Sequence, residues 1–348
     1  MVLRLLRGKD GRLTAYAPVA GGVARWTEER PGGPDWAGPW LIEVPGLVRL
    51  TVAQGADRYA HLVGLRHREG KDGPQTDLVH ATQFQTGRVL TAWHSLGTPH
   101  PKDRTKARRT GPPAAAVDST GALRVFVRNA GGGVSARRQD PKKGTWERWT
   151  DWKGTDVLDG LSAAVTADGR LEVLAPAGKG ASLRWYQPTP GAAPKRGEDV
   201  PADARPDSAS AVESSPGTVT HYWRDAGSGE ILAWRPEAPA PAPLGGATGT
   251  GPVAALRAPV DGHDCVVLAH RDASSGRLAV AAHPAEDEAA GVWWTPSGDP
   301  GAQHPALALD GRGLVVLAAL APDGGLLVAR QKTDERGLAL RAWSRVGE

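Results

Sequence analysis

Short runs of small or apolar residues, each closed by a turn rich in glycine or aspartate, recur along this chain. The clearest instance is 113–154, PAAAVDSTGALRVFVRNAGGGVSARRQDPKKGTWERWTDWKG. A small-residue strand over 114–117 meets a turn from Asp118 to Gly121, and an apolar strand follows over 123–127. The triple glycine 131–133 turns the chain into a third strand over 134–138, and a tryptophan-bearing segment ends at Gly154. Alternating strand runs separated by glycine-bearing turns predict consecutive antiparallel hairpins, here a unit of four strands.

The unit repeats. Modules are predicted at 1–44, 45–109, 110–157, 158–203, 204–249, 250–300 and 301–348, a period of roughly 50 residues that suits propeller blades. Within a module the first strand is made of small side chains, as at 114–116, Ala163-Ala164, Ala209 with Ala211, Ala254-Ala255 and Ala306 with Ala308. Innermost propeller strands converge on an axis where large side chains would collide. The second strand is apolar at successive positions, as in 125–127, 265–268 and 314–317, the mark of a strand covered on both faces. The predicted fold is therefore all-β, a single seven-bladed propeller domain over 1–348. Asp10-Gly11, Asp168-Gly169, Asp261-Gly262 and Asp310-Gly311 are expected at one common hairpin turn. The second module is read with a long polar insertion reaching Asp72-Gly73. Ring closure is expected edge to edge, unless 338–346 exchanges into the first module.

Composition narrows the function classes. The 45 glycines and 29 prolines are spread at intervals, as punctuation between strands rather than as a disordered tract. A formal charge of +4 over 348 residues gives no reason to expect nucleic acid. The basic connector Lys102, Arg104, Lys106, Arg108 and Arg109 has no interleaved aromatics and reads as a solvated loop. No apolar run approaches the ~20 residues of a membrane-spanning helix. One cysteine forms no internal disulfide, and no Cys/His spacing suits a metal, so no metal site and no cofactor are predicted. The expected compartment is the cytoplasm if Met1 is the native start, and the exterior if a leader precedes it.

Thirteen tryptophans stand against two phenylalanines and four tyrosines. One set falls late in the module before a glycine: Trp40, Trp93, Trp149, Trp152, Trp294 and Trp343. A second set, Trp26, Trp185 and Trp234, falls on the predicted third strand. The small-residue strand, the Asp-Gly turn and the segments LTAWHSLG and GTWERWTDWKG resemble the PLL-like and tectonin-type seven-bladed propeller lectins. Similar folds also occur in secreted bacterial propellers that interact with proteases. The lectin resemblance implies sugars held in shallow clefts between blades, stacked on tryptophan with polar groups nearby. An indole offers a flat apolar face to a pyranose and an N–H to an acceptor. The same side chain at a repeated blade position also serves as a wedge between blades.

Motifs for catalysis are absent: no G-x-S-x-G elbow, H-E-x-x-H helix, P-loop or Asp-box occurs. Cys265 opens an apolar run and reads as a buried, inert thiol, while His270 and Asp272 are placed near a channel mouth. The sequence thus reads as a non-enzymatic binding module for a glycan or small molecule. Its candidate ligand-binding residues are Trp93, Trp149, Trp152, Trp185, Tyr222, Trp223, Trp234 and Trp294. Two alternatives stand beside it: an enzyme acting on a small metabolite or glycan at the axial mouth, assembled one residue per blade, and a scaffold for a protein partner.

Overall fold

Antiparallel hairpins follow one another throughout the computed structural model, which describes residues 2–71, 73–246 and 248–347. Met1 and Asp72, on which the compartment and second-module turn expectations rest, lie outside the described residues. Seven four-stranded sheets span 4–43, 47–97, 114–153, 162–196, 210–243, 249–297 and 303–345, each with its strands in chain order. The chain is a seven-bladed β-propeller.

The small first strands explain how the sheets assemble. The first strand of each blade touches those of its two neighbours, and that of blade 1 (Arg4–Arg7) touches that of blade 7 (Gln303–Leu309). Alanines 114, 116, 306 and 308 are buried where these strands converge. The second strands carry the core. Val125, Phe126 and Val127 are 0% exposed, as are Val316, Leu317 and Ala318. Successive strand residues point to opposite faces, so burial of all three requires a blade on each side.

One expectation is corrected. The polar stretch of blade 2 is no insertion. Its second and third strands, Ala60–Gly70 and Gly73–Gln83, stay paired to Gly70↔Gly73, and the Arg66–Asp77 ion pair at 2.8 Å fastens the extension. The four Asp-Gly pairs fall, as expected, in the hairpin between the first and second strands of their blades, though not at one position within the turn. Asp261 and Gly262 both take positive φ and join Val260 to His263 as a two-residue hairpin. Asp10 and Asp168 instead stand before a single positive-φ glycine, whereas Asp310 opens its turn and Gly313 carries the positive φ. Asp310 Oδ1 accepts the amides of Arg312 and Leu314, an Asx turn.

Ring closure uses no exchanged strand. Ser344–Arg345 pairs with Leu327 and Val328 of its own blade. Blades 7 and 1 share an apolar cluster that includes Leu5, Leu13, Trp26, Val316, Leu320 and Leu326. Beside it, Arg330 of blade 7 donates to the carboxylates of Glu28 in blade 1 and Asp310 in its own blade, and to the Gly33 carbonyl. Glu28 and Asp310 are both 0% exposed, so the guanidinium is the counter-charge for two desolvated carboxylates. Removing one partner of such a buried set strands the rest, at about 3 kcal/mol or more. Arg330→Met is therefore expected to lower unfolding stability by about 3 kcal/mol in urea titration. Arg345→Ala, which removes an exposed pair with Asp323, is expected to change it by less than about 0.5 kcal/mol.

Candidate functional site

The outer edges of the blades meet through a recurring indole contact. Trp149 of blade 3 donates its Nε1–H to the Leu96 carbonyl on the outer strand of blade 2, at 3.0 Å. Trp185 of blade 4 donates to the Trp152 carbonyl on the outer strand of blade 3, at 3.2 Å. Trp294 of blade 6 reaches the Leu244 carbonyl at the edge of blade 5, and Trp343 of blade 7 reaches Ser297 Oγ of blade 6, both at 3.1 Å. Each tryptophan reaches back one blade. The glycine that ends an outer segment makes the space: a β-carbon on Gly298 would lie 2.6 Å from Trp343 Nε1, and one on Gly246 2.9 Å from Trp294 Nε1. At Gly246 and Gly298 the late glycine therefore seats the next blade's indole rather than its own, whereas a β-carbon on Gly97 would meet nothing.

This geometry sorts the predicted residues. Trp149 is half-buried and forms a wall of a cleft of about 370 Å³ between its outer strand and the connector from blade 2. Thr150, Asp151, Ser135, His100 and Lys106 stand around it. Trp93, Trp152 and Trp294 are half-buried and pack between blades, Trp152 against Phe126 and Trp185 with ring centres 5.1 and 6.1 Å away. Trp185 and Trp234 are buried. Tyr222 and Trp223 are corrected outright as cleft residues: on the second strand of blade 5 both are 0% exposed, and neither has a face to offer a ligand. His270 is likewise 0% exposed and bonded to Arg224 at 2.8 Å, away from any mouth, while Asp272 caps a turn through Ser274 and Ser275. The basic connector folds over Arg104–Arg108 as one helical turn capped by Asp103. Cys265 is buried, and its thiol is pushed up in pKa by that burial.

Two exposed features were missed. Trp343 walls a second cleft of about 510 Å³ between blades 6 and 7, with Thr295, Asp299 and Arg341. Trp293 is 86% exposed, the partner of Trp294 in a WW pair. Neighbours in an extended chain face opposite ways, so one of two adjacent tryptophans had to point outward when the other was wedged.

Buried histidines also bridge blades. Ser162 of blade 4 meets His221 Nδ1 of blade 5 at 2.9 Å, and Tyr222 of blade 5 meets His283 of blade 6 at 3.1 Å. His61 and His80 lie 3.2 Å apart within blade 2, both near Thr82 Oγ1. Burial, with His61 and His94 adjoining, takes His80 down to about 3. Burial and the Arg224 charge take His270 down to about 4. No group of three or more His, Cys, Asp or Glu suited to a metal occurs among the described residues. None of their helices is long and apolar enough to cross a membrane.

No family model matches the chain, and no curated protein matches its sequence. Its likeness is to solved structures. The Hadza microbial sialidase Hz136 aligns with a TM-score of 0.56 at 13% identity, over 89% of this chain and 70% of the other. The Aleuria aurantia lectin in complex with Fucα1-6GlcNAc aligns at 0.51 and 12% identity, over 88% of this chain and 99% of the lectin. The SapL1 lectin in complex with α-methyl fucoside aligns at 0.51 and 13% identity, over 87% and 96%. At such identities the likeness is one of fold, shared by sugar-binding proteins and an enzyme alike.

The seats of the indoles give a stability test. Gly298→Ala forces a side chain into positive φ against Trp343 and is expected to cost about 2 kcal/mol by denaturant unfolding. The histidines set a pH dependence. The unfolded imidazoles titrate near 6.5, and His61, His80, His270 and His283 are held lower by burial, so between these values the unfolded chain holds more protons. Stability is expected to fall as pH drops from about 7 to 5, and His80→Asn is expected to flatten that slope in urea midpoints measured across the range.

Proposed function

We propose that this chain is a carbohydrate-binding propeller of the PLL-like or tectonin type, with sites in the outer clefts between blades. The observation that carries the reading is the cleft at Trp149. There a half-exposed indole held by its N–H stands beside hydroxyl, carboxylate, imidazole and ammonium groups. Fixing the ring through Leu96 leaves its orientation set before any ligand arrives, which lowers the ordering cost of a stacked contact. Asp151 is exposed and bonded only to Lys153, so its second lone pairs are open to sugar hydroxyls. Recurrence supports the same reading: Trp343, just ahead of the outer strand as Trp149 is, walls a cleft with Thr295 and Asp299.

The lectins of like fold were solved with fucosides, which makes α-methyl fucoside and a fucosylated glycan array the first probes. Binding is expected for at least one glycan class and is expected to weaken tenfold or more in Trp149→Ala. Asp151→Ala removes only an exposed ion pair and leaves the fold intact. A glycan that binds the native protein and the Asp151→Ala and Trp149→Ala variants equally well would overturn the assignment of this cleft.

A further inference from the structure

We propose that one mouth of the axial channel is a second, separate binding site, for a small polyhydroxy oxyanion such as a sugar acid or sugar phosphate. The cavity there encloses about 280 Å³ and is fronted by Arg4, Arg49, Asp207 and His304 among prolines and glycines. That volume is close to the lower end of ligand pockets, roughly 300–1,000 Å³, and suits a single sugar ring.

Four polar side chains face this space without pairing with each other. Arg4, the one charged side chain on the channel wall deeper in, has no hydrogen-bond acceptor and no carboxylate partner among the described residues. Arg4 is exposed, its accessible surface opening into the channel, and the protein crowding it lowers its pKa. An unpaired guanidinium on a cavity wall is available to fork onto a carboxylate or phosphate. Among the described residues Arg49 bonds only the carbonyl of Val48 beside it, and Asp207 and His304 make no side-chain bond. Burial raises the Asp207 carboxyl, and Asp159 adds to that against the opposing charge of Arg49. Groups that fastened the fold would be bonded to one another; these are held apart around a gap.

The backbone is bent to place them. Where the chain enters the first strands of blades 4 and 6, Gly160 and Gly251 take φ of 95° and 79°. At the matching points of blades 5 and 7 the positive-φ residues are Asp207 (58°) and His304 (55°). A non-glycine side chain in this region costs on the order of 1 kcal/mol, a strain typical of binding and catalytic positions. Register shifts at 303/306 and 47/49 aim His304 and Arg49, as bulges beside functional sites do. His304, Arg4 and Arg49 belong to the consecutive blades 7, 1 and 2, and Asp207 to blade 5 across the axis. Arg4 and Arg49 give the mouth a cationic side for a carboxylate or phosphate, and Asp207 opposes them with a carboxylate for hydroxyls. His304 adds an imidazole that burial keeps below its ordinary pKa.

Titration calorimetry at pH 7 and low salt tests this with D-glucuronate, D-glucose 6-phosphate and neutral D-glucose. At least one of the two oxyanions is expected to bind at a stoichiometry of about one, and glucose is not. Binding of glucuronate alone identifies the carboxylate class, and of glucose 6-phosphate alone the phosphate class. Arg4→Gln and, as a second variant, Arg49→Gln are each expected to weaken binding tenfold or more. Neither removes an ion pair, and unchanged thermal unfolding midpoints confirm folding. Asp151→Ala, in the outer cleft, is expected to bind as the native protein does, so the two sites fail or stand separately. Silence of both oxyanions, or equal affinity in Arg4→Gln and Arg49→Gln, overturns the proposal.

Discussion

The whole ring depends on blade 7 meeting blade 1 without a strand in common. Without a shared strand, backbone hydrogen bonds contribute nothing to that joint, and side chains must hold it. The apolar cluster around Leu5, Trp26 and Leu320 supplies the burial, and Arg330 supplies direction. An apolar joint alone tolerates sliding, since the hydrophobic effect is non-directional. A guanidinium forked between Glu28 and Asp310 does not, because each carboxylate is desolvated and any slip leaves one unpaired. Asp310 is also the first residue of a turn, so closure and the local hairpin are locked by one side chain.

Four of the other six joints follow a different rule. There the indole of one blade reaches back to the outer strand of the blade before it, through Trp149, Trp185, Trp294 and Trp343. Wedge and platform are not opposed roles in this arrangement. An indole whose N–H is committed to a carbonyl keeps one edge fixed, and where the wall beside it recedes a face stays open. At Trp152 the space is filled by Phe126 and Trp185; at Trp149 it is a cleft. What separates a structural tryptophan from a candidate binding one is thus the neighbour's volume.

That distinction explains what the sequence disclosed. Alanines 114–116 and the apolar run 125–127 announced an innermost strand and a doubly covered one, because axial taper and two-sided burial act on residue type directly. The seven modules followed from their spacing. The tryptophan motif was legible as a motif, yet its sites were not, since whether Trp149 or Trp152 keeps an open face depends on residues some 30 to 50 positions away. Tyr222 and Trp223 looked like a polar-aromatic patch because the register that buries them is set by pairing with 210–215 and 231–234. The polar stretch of blade 2 read as an insertion because its two strands stay paired over residues that are half-buried or exposed and carry no apolar pattern.

The axial mouth was hidden for a further reason. Asp207, His304, Arg4 and Arg49 share no motif and no spacing; only closure of the ring brings them round one axis. Their sole local trace is that blades 5 and 7 carry Asp and His where blades 4 and 6 carry glycine. In a repeat protein the common residue at a turn reports what the backbone needs, and a glycine there reports positive φ. A departure from it at a strained position costs stability, and strained positions cluster at binding sites. The two kinds of site therefore arise differently. The outer clefts are gaps left by a repeated packing device, whereas the axial mouth is built from places where the repeat is broken.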